Sequence, residues 1–97
     1  MISTHVLDTG RGEPAEGVIV ELYRGESLLA ASQTDTDGRI AELSPNSLEP
    51  GTYRIVFHPP SEFFRRVELE IAIEDPQRHY HVPLLVSPYS CASYRGS

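Results

Sequence analysis

Ninety-seven residues close one hydrophobic core and leave no room for a second, so residues 1–97 are read as a single domain. With 39% hydrophobic and 23% charged residues and no low-complexity run, the composition is that of a globular domain, not a disordered tail or a fibre. The formal charge is −6 and every basic residue is an arginine scattered along the chain, which excludes a basic stripe for nucleic acid; no apolar run approaches the roughly 20 residues of a membrane helix.

In chain order, the opening Met1 to His5 enters strand-like sequence with neither a basic nor an apolar leader segment, so no export signal is expected. Period-2 alternation then predicts strands over Ser3 to Leu7, Val18 to Tyr23 and Leu28 to Thr34, with a short one near Ile40. Tyr53 to Phe57 and Arg66 to Glu74 follow. In the latter, Val67, Leu69, Ile71 and Ile73 share one face while three glutamates and Arg66 take the other, a strand with one wet side. His79 to Val86 and Cys91 to Arg95 complete about eight strands. Between them lie turn signals: Thr9 to Pro14, Arg24 to Ser27, Asp37-Gly38, Pro50-Gly51, His58 to Ser61 and Asp75-Pro76. Short strands with regular Gly/Pro punctuation predict an all-β fold, a two-sheet antiparallel β-sandwich. Pro83 is expected where no ladder donor is needed, at an edge or a bulge. The lone Cys91 has no intramolecular partner and reads as a small semi-buried side chain, which favours a reducing, cytoplasmic setting.

Three separated segments carry a likeness. Ser3-Thr4-His5-Val6-Leu7-Asp8-Thr9, with Pro14-Ala15 and Val18, resembles the opening signature of the 5-hydroxyisourate hydrolases, the enzymatic relatives of transthyretin. Thr36-Asp37-Gly38-Arg39-Ile40 is similar to the segment that supplies that family's active-site arginine. His79-Tyr80-His81-Val82-Pro83-Leu84-Leu85, Ser87-Pro88-Tyr89 and the closing Tyr94-Arg95-Gly96-Ser97 resemble its C-terminal signature, whose Tyr-Arg-Gly-Ser ending separates hydrolases from hormone carriers. The resemblance spans the chain and departs from the family in two places. Pro59-Pro60 leaves the stretch between the strands at Tyr53 and Arg66 too short for the family's three-turn helix, which is expected to be lost or reduced to a turn. Ser90-Cys91-Ala92-Ser93 replaces the usual Gly-Tyr-Ser-Thr.

The resemblance implies hydrolysis of 5-hydroxyisourate in urate catabolism, without cofactor or metal, by a homotetramer built as a dimer of dimers with sites at the dimer–dimer interface. It implies a catalytic set of His5, Arg39, His81 and Ser97, with His5, Arg39, Tyr94, Arg95 and Gly96 around the substrate. Residue chemistry suits the assignment: histidine titrates near neutrality, and an arginine fork donates several hydrogen bonds to a carbonyl-rich ring while keeping its charge. Alternation places His79, His81, Pro83 and Leu85 on one face of their strand, and Ser3, His5 and Leu7 on one face of theirs. His79 shares the face but not the catalytic assignment and reads as a structural neighbour. His58, before two prolines, reads as solvated. Two histidines two apart on a strand, with His5, also allow a zinc reading, but no cysteine or carboxylate joins them. A non-catalytic small-molecule carrier using the central channel is the alternative function. A carrier of apolar ligands wants small apolar residues there, whereas His5, Arg39, His81 and Tyr94 make a polar, titratable pocket.

Overall fold

The computed structural model describes residues 1–45 and 48–96. Among them ten strands form: β1 (Ile2–Asp8), β2 (Glu13–Pro14), β3 (Ile19–Arg24), β4 (Ser27–Gln33), β5 (Arg39–Ile40), β6 (Gly51–His58), β7 (Val67–Ile73), β8 (Tyr80–His81), β9 (Leu84–Val86) and β10 (Cys91–Ser93). They make two sheets, and no described residue is helical. Nor, among those residues, is there a helix long and apolar enough to cross a membrane.

One sheet runs β4-β3-β6-β7, antiparallel throughout. The other is organised around β1, which pairs with β2 and β5 antiparallel and with β8 and β9 in parallel, while β10 closes the sheet beyond β9. The sandwich is the expected one, but the β1 pairing with β8 and β9 is parallel. Alternation cannot distinguish the two directions, because it reports which face a residue takes and not which strand lies alongside.

Alternation does decide the core. Ile2, Thr4 and Val6 of β1 turn inward with Tyr80, Val82, Leu84 and Val86, meeting Val20, Leu22, Tyr53, Ile55, Phe57 and Ile73 from the other sheet. A fully buried side chain of this size contributes about 1.5–3 kcal/mol, so the inward positions hold the sheets together. Thr4 is tolerated there because its hydroxyl donates to the Val82 carbonyl at 2.6 Å.

The expected strand from His79 to Val86 is interrupted at Val82-Pro83, which separates β8 from β9. Pro83 has no N–H to give a ladder and sits in the break, where its carbonyl accepts from the Ser93 hydroxyl. Between β6 and β7, Ser61 to Phe64 bend instead of coiling, and the Ser61 hydroxyl accepts the backbone N–H of Phe63 and of Phe64. No helix replaces the one whose loss the two prolines imply.

Candidate active site

Because Ile2, Thr4 and Val6 are spent on the core, Ser3 and His5 face outward from the β1 sheet. The register then brings the remaining chemistry to them. Ser3 lies opposite His81 in the parallel pairing with β8, and His5 lies opposite Arg39 in the antiparallel pairing with β5. Three segments far apart in sequence thus converge on one sheet face.

Arg39 reaches that face from a tight loop. The Asp35 carboxylate accepts the backbone N–H of Asp37 and of Arg39, each at 2.9 Å, and the Gly38 N–H closes back on the Asp35 carbonyl. Gly38 has a φ of 75°, and a Cβ there would stand 2.5 Å from the Val6 carbonyl oxygen. Only glycine accommodates both the left-handed backbone and the close approach to β1. The loop also orients His5, whose Nε2 lies 2.8 Å from the Asp37 carbonyl oxygen. A carbonyl can only accept, so His5 Nε2 carries a proton, and in the neutral ring Nδ1 is the basic nitrogen.

His81 is held on three sides. Its Nδ1 lies 2.8 Å from the Ser3 hydroxyl, which is also 2.6 Å from Nε2 of His79. Its carbonyl accepts the Gly96 N–H at 2.7 Å, and Gly96 lies so close that a Cβ would stand 2.5 Å from the ring Cδ2. The imidazole is held below its ordinary pKa, first because burial penalises the cation, then because His79, Arg39 and His5 would all oppose a further positive charge. His81 is therefore neutral at neutral pH, the form in which it can accept a proton.

A cavity of about 550 Å³ opens beside this cluster, with Ser3, Arg39, His79 and His81 in its wall together with Asp35 and Glu42. Another of about 540 Å³ lies beneath Phe63 and Tyr89. Volume does not separate them, but only the first brings together bases and a guanidinium.

The sequence-predicted residues divide. His5, Arg39, His81 and Gly96 are brought together. Tyr94 and Arg95 turn away from the histidine face: the Arg95 guanidinium lies 4.5 Å above the ring of inward-facing Tyr80, and both residues line a separate cavity with Leu69 and Ile71 of β7. Ser97 lies outside the described residues. The alternation rule placed Ser3 on the right face, but its contact with two histidines depends on the parallel register, which the sequence does not display. His58 pairs with Glu21 on the opposite sheet, at 2.8 Å, well away from this cluster.

The family model described as HIUase/Transthyretin family matches residues 2–96. The chain is 40% identical to 5-hydroxyisourate hydrolase 2 of Rhizobium meliloti over 114 residues, covering 99% of this chain and 95% of the relative. It is equally 40% identical to the 5-hydroxyisourate hydrolase of Pseudomonas aeruginosa, covering 99% and 90%. Among solved structures, the 5-hydroxyisourate hydrolase of Klebsiella pneumoniae superposes with a TM-score of 0.88 at 37% identity, over 99% of this chain and 98% of that one. Sea bream transthyretin in complex with thyroxine superposes at 0.84 with 23% identity, over 98% and 93%, a likeness of fold alone.

Proposed function

The chain belongs to the HIUase/Transthyretin family, and from that premise we propose that it hydrolyses 5-hydroxyisourate to 2-oxo-4-hydroxy-4-carboxy-5-ureidoimidazoline in urate catabolism, at the outward face where His5, Arg39 and His81 meet. The convergence of those three side chains across β1, β5 and β8 carries the reading.

The reaction adds water to a ring carbonyl and breaks the adjoining C–N bond. Neutral His81, working with His5, takes a proton from water as its oxygen attacks; Arg39 holds the ring and steadies the oxyanion that forms. Return of the proton to the departing ring nitrogen completes the opening. The Arg95 guanidinium over the Tyr80 ring holds the C-terminal segment so that Gly96 seats against His81.

We further propose a homotetramer, a dimer of dimers with the sites between dimers. Two features support association. Strands β4, β7 and β10 each pair along one edge only, leaving backbone donors and acceptors open to another chain. Leu7 and Leu85, in register with each other on the outward face beside the histidines, are only half-buried, as befits a surface covered by a second copy. A cytoplasmic location fits the unpaired thiol of Cys91.

The test is to generate 5-hydroxyisourate from urate with urate oxidase and follow its absorbance. The protein should accelerate the decay, and decay at the spontaneous rate would overturn the hydrolase reading. Sedimentation at working concentration should give four chains per particle; a monomer at that concentration would remove the tetramer.

A further inference from the structure

We infer that Ser3, oriented by His79, is the residue that fixes the tautomer of His81, keeping the proton on Nδ1 so that Nε2 is the basic nitrogen offered to water. The inference deepens the hydrolase reading and rests on it for its catalytic meaning, though not for its geometry.

The geometry is a three-atom chain: His81 Nδ1, 2.8 Å from Ser3 Oγ, and Ser3 Oγ, 2.6 Å from His79 Nε2. A hydroxyl has one proton to give. Flanked by two neutral imidazoles, it donates to one ring nitrogen and must accept from an N–H on the other, so the two rings are forced into complementary states. Either His81 Nδ1–H donates to Oγ and Oγ–H donates to His79, or the whole chain runs the other way. O–H donors make shorter bonds than N–H donors, so the shorter contact places the hydroxyl proton on the His79 side. His81 then carries hydrogen at Nδ1 and leaves Nε2, across the ring and beside Gly96, with its lone pair.

Among the described residues, no other group hydrogen-bonds the Ser3 hydroxyl. Its side chain is 6% exposed, fixed opposite His81 by the β1–β8 register, and its hydroxyl contacts are with these two rings. His79, by contrast, is solvent-exposed. The arrangement places an adjustable outer group, His79, behind a buried hydroxyl that transmits its state inward. Protonation of His79 obliges its Nε2 to donate to Oγ and frees the Ser3 hydroxyl proton to turn to His81 Nδ1, which favours the His81 form that carries hydrogen at Nε2 and blocks the base. Arg39 and His5 face His81 from β5 and β1, and Asp35 and Glu42 line the same cavity, so these groups set the field in which the chain reverses. Ser3 and His79 are therefore positioning residues that act through His81.

Nitrogen-detected NMR of the imidazole rings, on protein without substrate, tests the assignment directly. Wild type should show His81 protonated at Nδ1. Ser3→Ala should move it to the Nε2–H form that a free histidine side chain prefers, and Ser3→Thr should restore Nδ1–H. His79→Phe, at an exposed position that does not threaten folding, removes the hydroxyl's acceptor and should mix the two tautomers. In the hydrolysis assay, Ser3→Ala should lower kcat about 10- to 100-fold with KM little changed, and Ser3→Thr should recover most of it. Wild-type His81 found as Nε2–H, or tautomer populations unmoved in both Ser3→Ala and His79→Phe, would overturn the inference. A wild-type protein without hydrolase activity would defeat the functional reading alone, because the ring spectra are read without turnover.

Discussion

Both sheets carry histidine on their outward faces, and the two faces use it in opposite ways. On the β1 sheet, His81 is partly buried, its neighbours on that face are His79, Arg39 and His5, and its cationic form is disfavoured. On the other sheet, His58 at the end of β6 places Nε2 2.8 Å from the Glu21 carboxylate of β3, whose other oxygen accepts from the Tyr23 hydroxyl. Nearby, Arg54 bridges to Glu68 and stacks over the Tyr23 ring at 4.7 Å. That second network is locally matched: an arginine and a histidine each face a carboxylate, and together they cover Val56, which is 2% exposed although its register partners are Glu21 and Glu68. Charges that are neutralised by neighbours roof a sheet; charges that crowd one another, with no carboxylate on the bases among the described residues, leave reactivity to be used.

The contrast is broken or sharpened first by deletion. His81→Ala should lower the hydrolysis rate about 1000-fold, and Arg39→Ala about 100- to 1000-fold, while His58→Ala leaves it within about twofold of wild type. A large loss in His58→Ala, measured in the same assay on protein of unchanged circular dichroism, would erase the distinction between the faces.

Next in size is the support of the His81 ring. An alanine at 96 places a methyl within contact distance of Cδ2, and the ring, tied to Ser3 at Nδ1, has to swing away. Gly96→Ala should lower kcat about 10- to 100-fold, the scale of a displacement near 1 Å at a reacting group, with little change in melting temperature. Equal activity would mean that the position of His81 is not set by the chain that follows β10.

Much of this was readable in advance, and the parts that were not share a cause. Alternation assigned Val67, Leu69, Ile71 and Ile73 to one face and put His5 with Ser3, because a strand's period is fixed by its own backbone. The two prolines after His58 announced the absent helix for an equally local reason. The direction of pairing between β1 and β8, the bridge from Ser3 to two histidines, and the turning of Tyr94 and Arg95 toward Tyr80 depend on which segments meet after folding. No local pattern in the chain encodes those contacts. The likeness to a hydrolase family supplied the identities of His5, Arg39 and His81, but it gave Ser3 no role and left His79 a structural neighbour, since a motif marks residues without their hydrogen bonds.

The pH response should differ between the faces as well. Activity requires neutral His81, so the acid limb of kcat/KM should have its midpoint below 6.5, the ordinary histidine value, because burial and the neighbouring cationic groups oppose protonation. The same shift has a consequence for stability. A histidine whose folded pKa is depressed contributes stability above its unfolded value, and loses that contribution as pH falls through the folded one. A midpoint at or above 6.5 would mean that those neighbours do not act on the ring. Replacing Arg39 by Gln should raise the His81 pKa, followed by NMR titration, since one of the opposing charges is gone.

The smallest effect belongs to the matched face. The Glu21 carboxyl is held below its ordinary value, first by the hydrogen bond from His58, against the opposing effect of partial burial. Its contribution to stability is therefore present above pH 4.5 and lost as pH falls through the lowered folded value. The pair remains open to water, with the His58 side chain 42% exposed, so screening keeps its worth within about 1 kcal/mol. Glu21→Gln should lower the melting temperature by only a few degrees at pH 7, leave the hydrolysis rate unchanged, and make the stability curve flatter between pH 5 and 3. A loss of several kcal/mol would instead show that the network over Val56 holds the sheet as a unit, and that the two faces differ in chemistry but not in how much of the fold depends on them.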